Sequence, residues 1–308
     1  MHRLLIIGLI LLLGCGKTIP YDDPDKNTTI ELPAFGSEET LDIITWNLEW
    51  FPKEDNTTID YVVEFITVLQ PDVIALQEIT SSLYFESLVD RLDSYVGFRA
   101  GSGSYMELAY LINNDTVEIL EGPFEIYNYE NHFFAYRQPL VIKIKYNQSE
   151  FFIINNHFKC CGDGEIEPDL DQQYWDEEYR RLQATLLLEE YVETILPNEK
   201  VIILGDLNDE IQDSEDDNVF WSIITDTANY KFTDFPIANG DVNNWSYPTW
   251  PSHLDHIIIT NELFELYSSP ESIVETLLLE EALPGGWNDY EKYVSDHRPV
   301  SIQLQTIE

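Results

Sequence analysis

Nine short runs of apolar and β-branched residues, each bounded by Gly, Pro, Asn or Asp, constrain this chain more than any other feature. They are Ile43–Phe51, Val73–Gln77, Leu108–Asn113, Val117–Leu120, Pro139–Tyr146, Phe151–Asn155, Val201–Gly205, Leu254–Thr260 and Arg298–Gln305, and their length and punctuation are those of strands. Between them Ile59, Val62, Val63, Ile66 and Leu69 recur at helical spacing before Pro71. Tyr174 to Leu196 carries Leu182, Leu186, Tyr191 and Ile195 ahead of Pro197, a second helical stretch. Helices interleaved with both hairpin-like and crossover strands predict an α/β fold with a mixed sheet rather than a purely parallel one. Residues 41–308 contain no solenoid repeat and no linker, so they read as one domain.

The N-terminal residues are of a different kind. His2 and Arg3 precede the apolar run Leu4 to Leu13, then Gly14 and Cys15. That run falls short of the roughly 20 apolar residues a membrane-spanning helix needs, so 1–14 is predicted to be a cleaved signal peptide. Leu12-Leu13-Gly14-Cys15 resembles the bacterial lipobox, which implies lipidation of Cys15, export and attachment to a bacterial membrane through that anchor, or secretion if Cys15 is not acylated. Residues 15–40 are polar and Pro-containing, and are expected to be a flexible tether. The only other cysteines are the adjacent Cys160 and Cys161. Neighbouring Cα atoms sit about 3.8 Å apart, below the usual disulfide range of about 4.4–6.8 Å, so a vicinal bridge would be strained and two free thiols are the simpler expectation.

Charge narrows the function. With 57 acidic and 16 basic residues the net charge is −41, and a chain of that sign cannot hold a polyanion on a basic surface. If it acts on phosphates, cations must supply the attraction. Most of this acidity is expected to be a solvated shell, including the run Asp209, Glu210, Asp213, Glu215, Asp216 and Asp217, which lacks the spacing of an EF-hand and leaves a structural Ca²⁺ open.

Polar residues gather at the ends of the apolar strands: Asn47, Glu78, His157, Asp206 with Asn208, Asp255, and Asp296 with His297. Any one could be a cap or turn residue. Together they predict a shared site at one edge of the sheet, where ligands bind in α/β folds. Carboxylate and amide oxygens suit a hard cation, Mg²⁺ or Mn²⁺, rather than zinc. His-Glu-x-x-His, P-loop and serine-nucleophile motifs are absent from the sequence. Two histidines among carboxylates and a divalent cation point to phosphoester hydrolysis by metal-activated water. The other histidines, His132, His253 and His256, read as structural. Alternation along the strand sends His256 to the opposite face from Asp255.

In order, Thr45-Trp46-Asn47-Leu48-Glu49-Trp50, Leu76-Gln77-Glu78, Asn156-His157, Gly205-Asp206-Leu207-Asn208, Leu254-Asp255-His256-Ile257 and Ser295-Asp296-His297-Arg298-Pro299 resemble the signature blocks of the endonuclease/exonuclease/phosphatase superfamily. The resemblance covers about 40–305. It implies a four-layer α/β sandwich of two packed mixed β-sheets flanked by helices. It also implies Mg²⁺ held by Glu78, Asn47 and Asp296, with Asp206 and Asn208 orienting the water and the scissile phosphate, and His297 paired with Asp255. Ser104-Tyr105-Met106-Glu107 resembles the segment that gives His157 a glutamate partner, so Glu107 is implied as that partner and Tyr105 as a substrate contact. Tyr136-Arg137-Gln138-Pro139 resembles a phosphate-contacting block, with Arg137 as its fork. The acidic insertion opening at Cys160-Cys161-Gly162-Asp163-Gly164 departs from the pattern and stands against docking of long duplex DNA. The expected activity is a monomeric, exported phosphodiesterase or nuclease. The alternatives are a phospholipid or inositol-phosphate hydrolase of the same fold, or a non-catalytic surface lipoprotein that keeps it.

Overall fold

A computed structural model describes residues 30–306 apart from 34 and 102. The expected signal peptide, Cys15 and the first part of the expected tether lie outside these residues. Twelve strands form two sheets of six. The first takes β1 (Thr40–Phe51), β2 (Val73–Ile79), β3 (Tyr95–Arg99), β4 (Glu107–Asn113), β11 (Ile273–Thr276) and β12 (Val300–Gln305), in the order β11-β12-β1-β2-β4-β3. The second takes β5 (Val117–Glu125), β6 (Leu140–Tyr146), β7 (Ser149–His157), β8 (Val201–Asp206), β9 (Tyr230–Phe232) and β10 (Asp255–Thr260), in the order β5-β6-β7-β8-β10-β9. Each sheet has one parallel pair at its centre, β1 with β2 and β7 with β8, among antiparallel neighbours. The mixed character is as expected.

Strand alternation builds the layers. Leu41, Ile43, Val73, Ala75, Ile153, Ile202, Leu204, Ile257 and Ile302 face the space between the sheets and are buried there. The intervening residues Ile44, Trp46, Ile74 and Leu76 meet helices α1 (Asp55–Leu69) and α2 (Ser82–Val89), while Val201 and Ile203 meet α3 (Glu177–Ile195). Burying each such aliphatic side chain contributes about 1.5–3 kcal/mol. The result is the expected four-layer sandwich. The tether expectation needs correcting at its end: Ile30 is buried and its N–H donates to Glu64 Oε1 at 2.9 Å, and Leu32 and Phe35 pack on the helical side of the first sheet. Three apolar side chains in reach of a core do not stay in solvent.

A polar stitch crosses the apolar gap. Gln77 Nε2 donates to Asn155 Oδ1 at 2.7 Å, and Asn155 Nδ2 donates to the carbonyls of Leu76 and Ala109, both at 3.0 Å. Every donor here is satisfied across the two sheets, which fixes their relative slide just below the strand ends.

Candidate active site

Three expected site residues fall side by side. In the ladders His157 of β7 pairs with Asp206 of β8, and Asp206 pairs with Asp255 of β10. All three share the inward parity of Ile153, Leu204 and Ile257, so they continue the inner row beyond the apolar core. Asp206 can stand there because Gly205 precedes it. Gly205 has φ +143°, and a Cβ at that position would lie 2.0 Å from the carbonyl oxygen of Asn156, so only glycine fits.

The opposite sheet delivers Asn47 and Glu78. Asn47 shares the parity of Ile43 and Thr45, and its Nδ2 donates to Asp206 Oδ2 at 2.8 Å and Glu78 Oε1 at 3.3 Å. Alternation would turn Glu78 outward. Its left-handed backbone (φ 62°), where the β2–β4 ladder shifts register between Leu76 and Ile79, swings it back to the cleft. There Glu78 Oε2 accepts the Trp50 N–H at 2.9 Å. Glu49 (φ 36°), Trp50 (φ 56°) and Asn208 (φ 55°) are also left-handed, conformations that cost about 1–3 kcal/mol each and cluster where function requires them.

The segment before β12 brings the remaining pair. His297 Nδ1 lies 2.7 Å from Asp255 Oδ2 and Nε2 lies 3.9 Å from Asp206 Oδ2. Asp296 Oδ1 is 4.0 Å from His297 Nε2. Ser295 holds this segment, donating from Oγ to the Asn47 carbonyl at 2.7 Å and accepting the His297 N–H at 2.9 Å. Tyr290 adds a second tie, accepting Trp46 Nε1–H at 2.9 Å and donating to the His297 carbonyl at 2.8 Å. The Tyr247 ring lies 4.8 Å from the His297 ring.

The two imidazoles are tuned apart. Burial lowers His297, but the carboxylates of Asp255 and Asp206 outweigh it and push its pKa up to about 10, which keeps the ring charged near neutrality. Burial, with the charges of Arg137 and His297, holds His157 well below the ordinary histidine value, so that ring is neutral. Burial raises Asp206 to about 7, with Asp255 adding to the rise and His297 opposing it. Burial also raises Asp296. Among the described residues none of Glu78, Asp206 and Asp296 is ion-paired to a lysine or arginine. Three crowded oxygen-donor carboxylates with only the His297 imidazolium as a cationic neighbour fit a hard divalent cation, which Glu78, Asn47 and Asp296 would hold.

Two implied roles are corrected. Glu107 does not hydrogen-bond to His157: Glu107 Oε1 accepts the Gly103 N–H at 2.9 Å. His157 Nδ1 has no hydrogen-bond partner, and Nε2 instead faces Asp206 Oδ2 at 3.4 Å and Glu78 Oε1 at 3.7 Å. Arg137 is not an open phosphate fork. It is buried, and spends Nε on the His157 carbonyl at 3.1 Å and Nη2 on the Phe158 carbonyl at 2.5 Å, so it positions the His157 strand end from behind. Tyr105 is 66% exposed at the rim and meets Trp50, 51% exposed, edge-to-face at 5.7 Å. Asn208 anchors its loop, its N–H donating to Asp206 Oδ1 at 3.1 Å and its Nδ2 to the Phe158 carbonyl at 3.4 Å.

Sequence reasoning missed Glu49, Ser295, Tyr290 and Gln77. Glu49 Oε2 accepts the Asp296 N–H at 2.9 Å and pairs with Lys53, and its spacing two residues from Asn47 was the available signal. The acidic run is not all solvated either: Asp209 is buried, with Oδ2 accepting Arg181 Nε–H at 2.9 Å.

Carboxylates, a charged and a neutral imidazole and amide donors converge at one rim of a two-sheet sandwich, the arrangement of a phosphoester hydrolase. The endonuclease/exonuclease/phosphatase family model matches residues 44–297, and the chain belongs to that family, whose members are divalent-metal-dependent phosphoester hydrolases. Similar solved structures share the fold. D. rerio TDP2 complexed with a single-strand DNA product is 16% identical over 87% of this chain and 99% of its own, with TM-score 0.66. An endonuclease/exonuclease/phosphatase from Bacteroides vulgatus is 16% identical over 87% and 99%, with TM-score 0.58. The human Nocturnin catalytic domain with a bound sulfate anion is 14% identical over 86% and 93%, with TM-score 0.57. No curated protein sequence matches this chain.

Proposed function

We propose that this protein is an exported, lipid-anchored, Mg²⁺-dependent phosphodiesterase of the nuclease kind. The observation that carries the reading is the row His157–Asp206–Asp255 across three strands, closed by His297 on one side and by Asn47 and Glu78 on the other. A bound divalent cation would neutralise phosphate oxygens and acidify water. The chain's own groups then divide the work. Asp206 orients the attacking water and accepts its proton, with Asn208 beside the phosphate. His157, neutral, donates a hydrogen bond from Nε2 to a phosphoryl oxygen, and the charged His297, held in its tautomer by Asp255, stabilises the charge developing there. The exposed Trp50–Tyr105 pair offers a face on which a base can stack, worth about 1–3 kcal/mol without any basic surface.

Export and anchoring rest on Leu12-Leu13-Gly14-Cys15; among the described residues no helix is long and apolar enough to cross a membrane. The test is a panel of single-stranded DNA, RNA, dinucleotides, phospholipids and inositol phosphates, assayed after chelation and return of Mg²⁺ or Mn²⁺. Metal-dependent cleavage of the nucleic acids, rising with moderate salt as repulsion is screened, is the expected result. A monotonic fall with salt would contradict the acidic-surface account, and preference for inositol phosphates or phospholipids would favour the small-headgroup alternative.

A further inference from the structure

Three residues past His157, the chain exposes two adjacent thiols whose setting goes beyond chance exposure. Cys160 and Cys161 are both free and exposed, and their sulfur atoms already lie 3.0 Å apart on the same side of the backbone. The Lys159 ammonium lies 3.8 Å from Cys160 Sγ and donates to the Cys160 carbonyl at 2.6 Å. Arg181 clamps the segment, its Nη1 donating to the carbonyls of Lys159 and Cys161, both at 2.7 Å. Its Nε binds Asp209 of the loop that follows Asp206 and Asn208. The dithiol is thus tied through Arg181 to the loop that follows Asp206.

We infer that Cys160 and Cys161 form a two-electron redox couple that closes to a vicinal disulfide when it meets a low-molecular-weight disulfide, and that closure slows hydrolysis. The Cys160 thiolate attacks one sulfur of the small disulfide, forming a mixed disulfide and expelling one thiolate. The Cys161 thiolate then attacks Cys160 Sγ and expels the second. Two electrons pass from the protein to the small disulfide, which leaves as two thiols carrying the two protons. The sulfurs need to approach by only about 1 Å to reach bonding distance. The eight-membered ring of such a bond is strained, which makes it easily reduced and suits a reversible couple rather than a structural staple. The effect on hydrolysis rests on the function proposed above; the disulfide chemistry does not.

The experiment treats the full chain with glutathione disulfide, digests it and weighs the peptide carrying both cysteines, in parallel with a phosphodiester assay. The expected peptide has lost two hydrogens, carries no glutathione, resists alkylation and recovers with dithiothreitol. Cys161→Ser, which cannot close the ring, should instead retain one glutathione at Cys160. Hydrolysis by the oxidised wild type should fall about tenfold, the size that changes around a metal site's supporting groups produce, and return on reduction, while the Ser variant stays near the reduced rate. A stable mixed disulfide on the wild type, or a peptide still alkylated at both thiols, would overturn the couple. Closure with turnover unchanged would overturn its link to the site. A reduced protein that hydrolyses no phosphoester would defeat the function proposed above and leave the mass result standing.

Discussion

Two histidine–aspartate clusters lie one residue apart on β10 and differ in what their imidazoles have left to offer. Asp255 faces inward to His297, whose Nδ1 is bound and whose Nε2 still looks toward Asp206 at 3.9 Å. His256, on the opposite face, places Nδ1 2.6 Å from Asp234 Oδ2 and donates from Nε2 to the Asp209 carbonyl at 2.9 Å. Asp234 also lies 3.0 Å from His253 Nε2, and His253 Nδ1 accepts the Ser246 N–H. Both clusters hold three His or carboxylate groups within metal-binding reach of one another. In the second, every ring nitrogen is spent and every residue buried, so it braces the Asp206–Asp209 loop. A histidine becomes chemically available when its environment leaves one nitrogen uncommitted next to open space, and residue type alone does not decide that.

The comparison can be broken most sharply by His297→Ala, which should lower phosphodiester turnover by about 10²–10⁴-fold, measured on the folded fraction; a variant that keeps wild-type turnover would remove His297 from the reaction. Asp234→Ala should chiefly affect folding, costing about 3–5 kcal/mol in urea unfolding because the buried His256 loses its counter-ion and His253 Nε2 its hydrogen-bond acceptor, while the fraction still folded keeps its turnover. Burial opposes the effect of its histidines, yet these hold Asp234 below the usual carboxylate range, and Asp234 in turn holds His256 above 6.5 despite burial. The pair's stabilisation is therefore complete between about pH 4 and 6.5 and fades as pH rises through the raised histidine value, a slope that should vanish in Asp234→Ala.

Asp42 sharpens the contrast, because it is a buried carboxylate with no imidazole. Burial and the nearby Asp72 push it up to about 7. Between about pH 4 and 7 the native state therefore binds a proton that the unfolded chain has lost, and stability falls as pH rises through that window. Asp42→Asn should remove the slope and add about 1–3 kcal/mol above pH 7; denaturant melts at pH 5 and 8 read it directly, and equal losses at both would refute it. The smallest effect belongs to Glu107→Gln, which keeps an acceptor for the Gly103 N–H and should change turnover by no more than about twofold, or roughly 0.5 kcal/mol. A large loss would restore Glu107 as a partner of His157.

The sequence made the interior strands legible because each is bracketed by neighbours on both sides and so carries β-branched residues throughout, as in Val201-Ile202-Ile203-Leu204. It hid β3, β9 and β11. All three lie at sheet edges, where half the residues meet solvent; β3 includes Gly97, and β9 spans only Tyr230–Phe232. The strand-end residues of the site were legible for a related reason: Asn47, His157 and Asp206 interrupt runs that would otherwise be wholly apolar. What could not be read was which group each would touch. Arg137 carries the right fork for phosphate, yet only the fold reveals that two backbone carbonyls take it. Glu78 defies alternation through one left-handed residue. Ile30, Leu32 and Phe35 fall in a short apolar run broken by Pro33 and flanked by polar residues, with neither helical nor strand length to signal a docked segment.

The pairing of β12 with β1, Thr40 against Gln305 through Thr45 against Val300, carries a consequence for the order in which the molecule matures. A chain made from its N-terminus has β1 in hand long before β12, so that strand lacks one flanking partner until residues 300–305 leave the ribosome. His297 arrives only three residues ahead of that partner. On the role proposed for His297, hydrolysis cannot precede the docking of β12, and a chain cut short before Asp296 would be inert however much of its second sheet had formed.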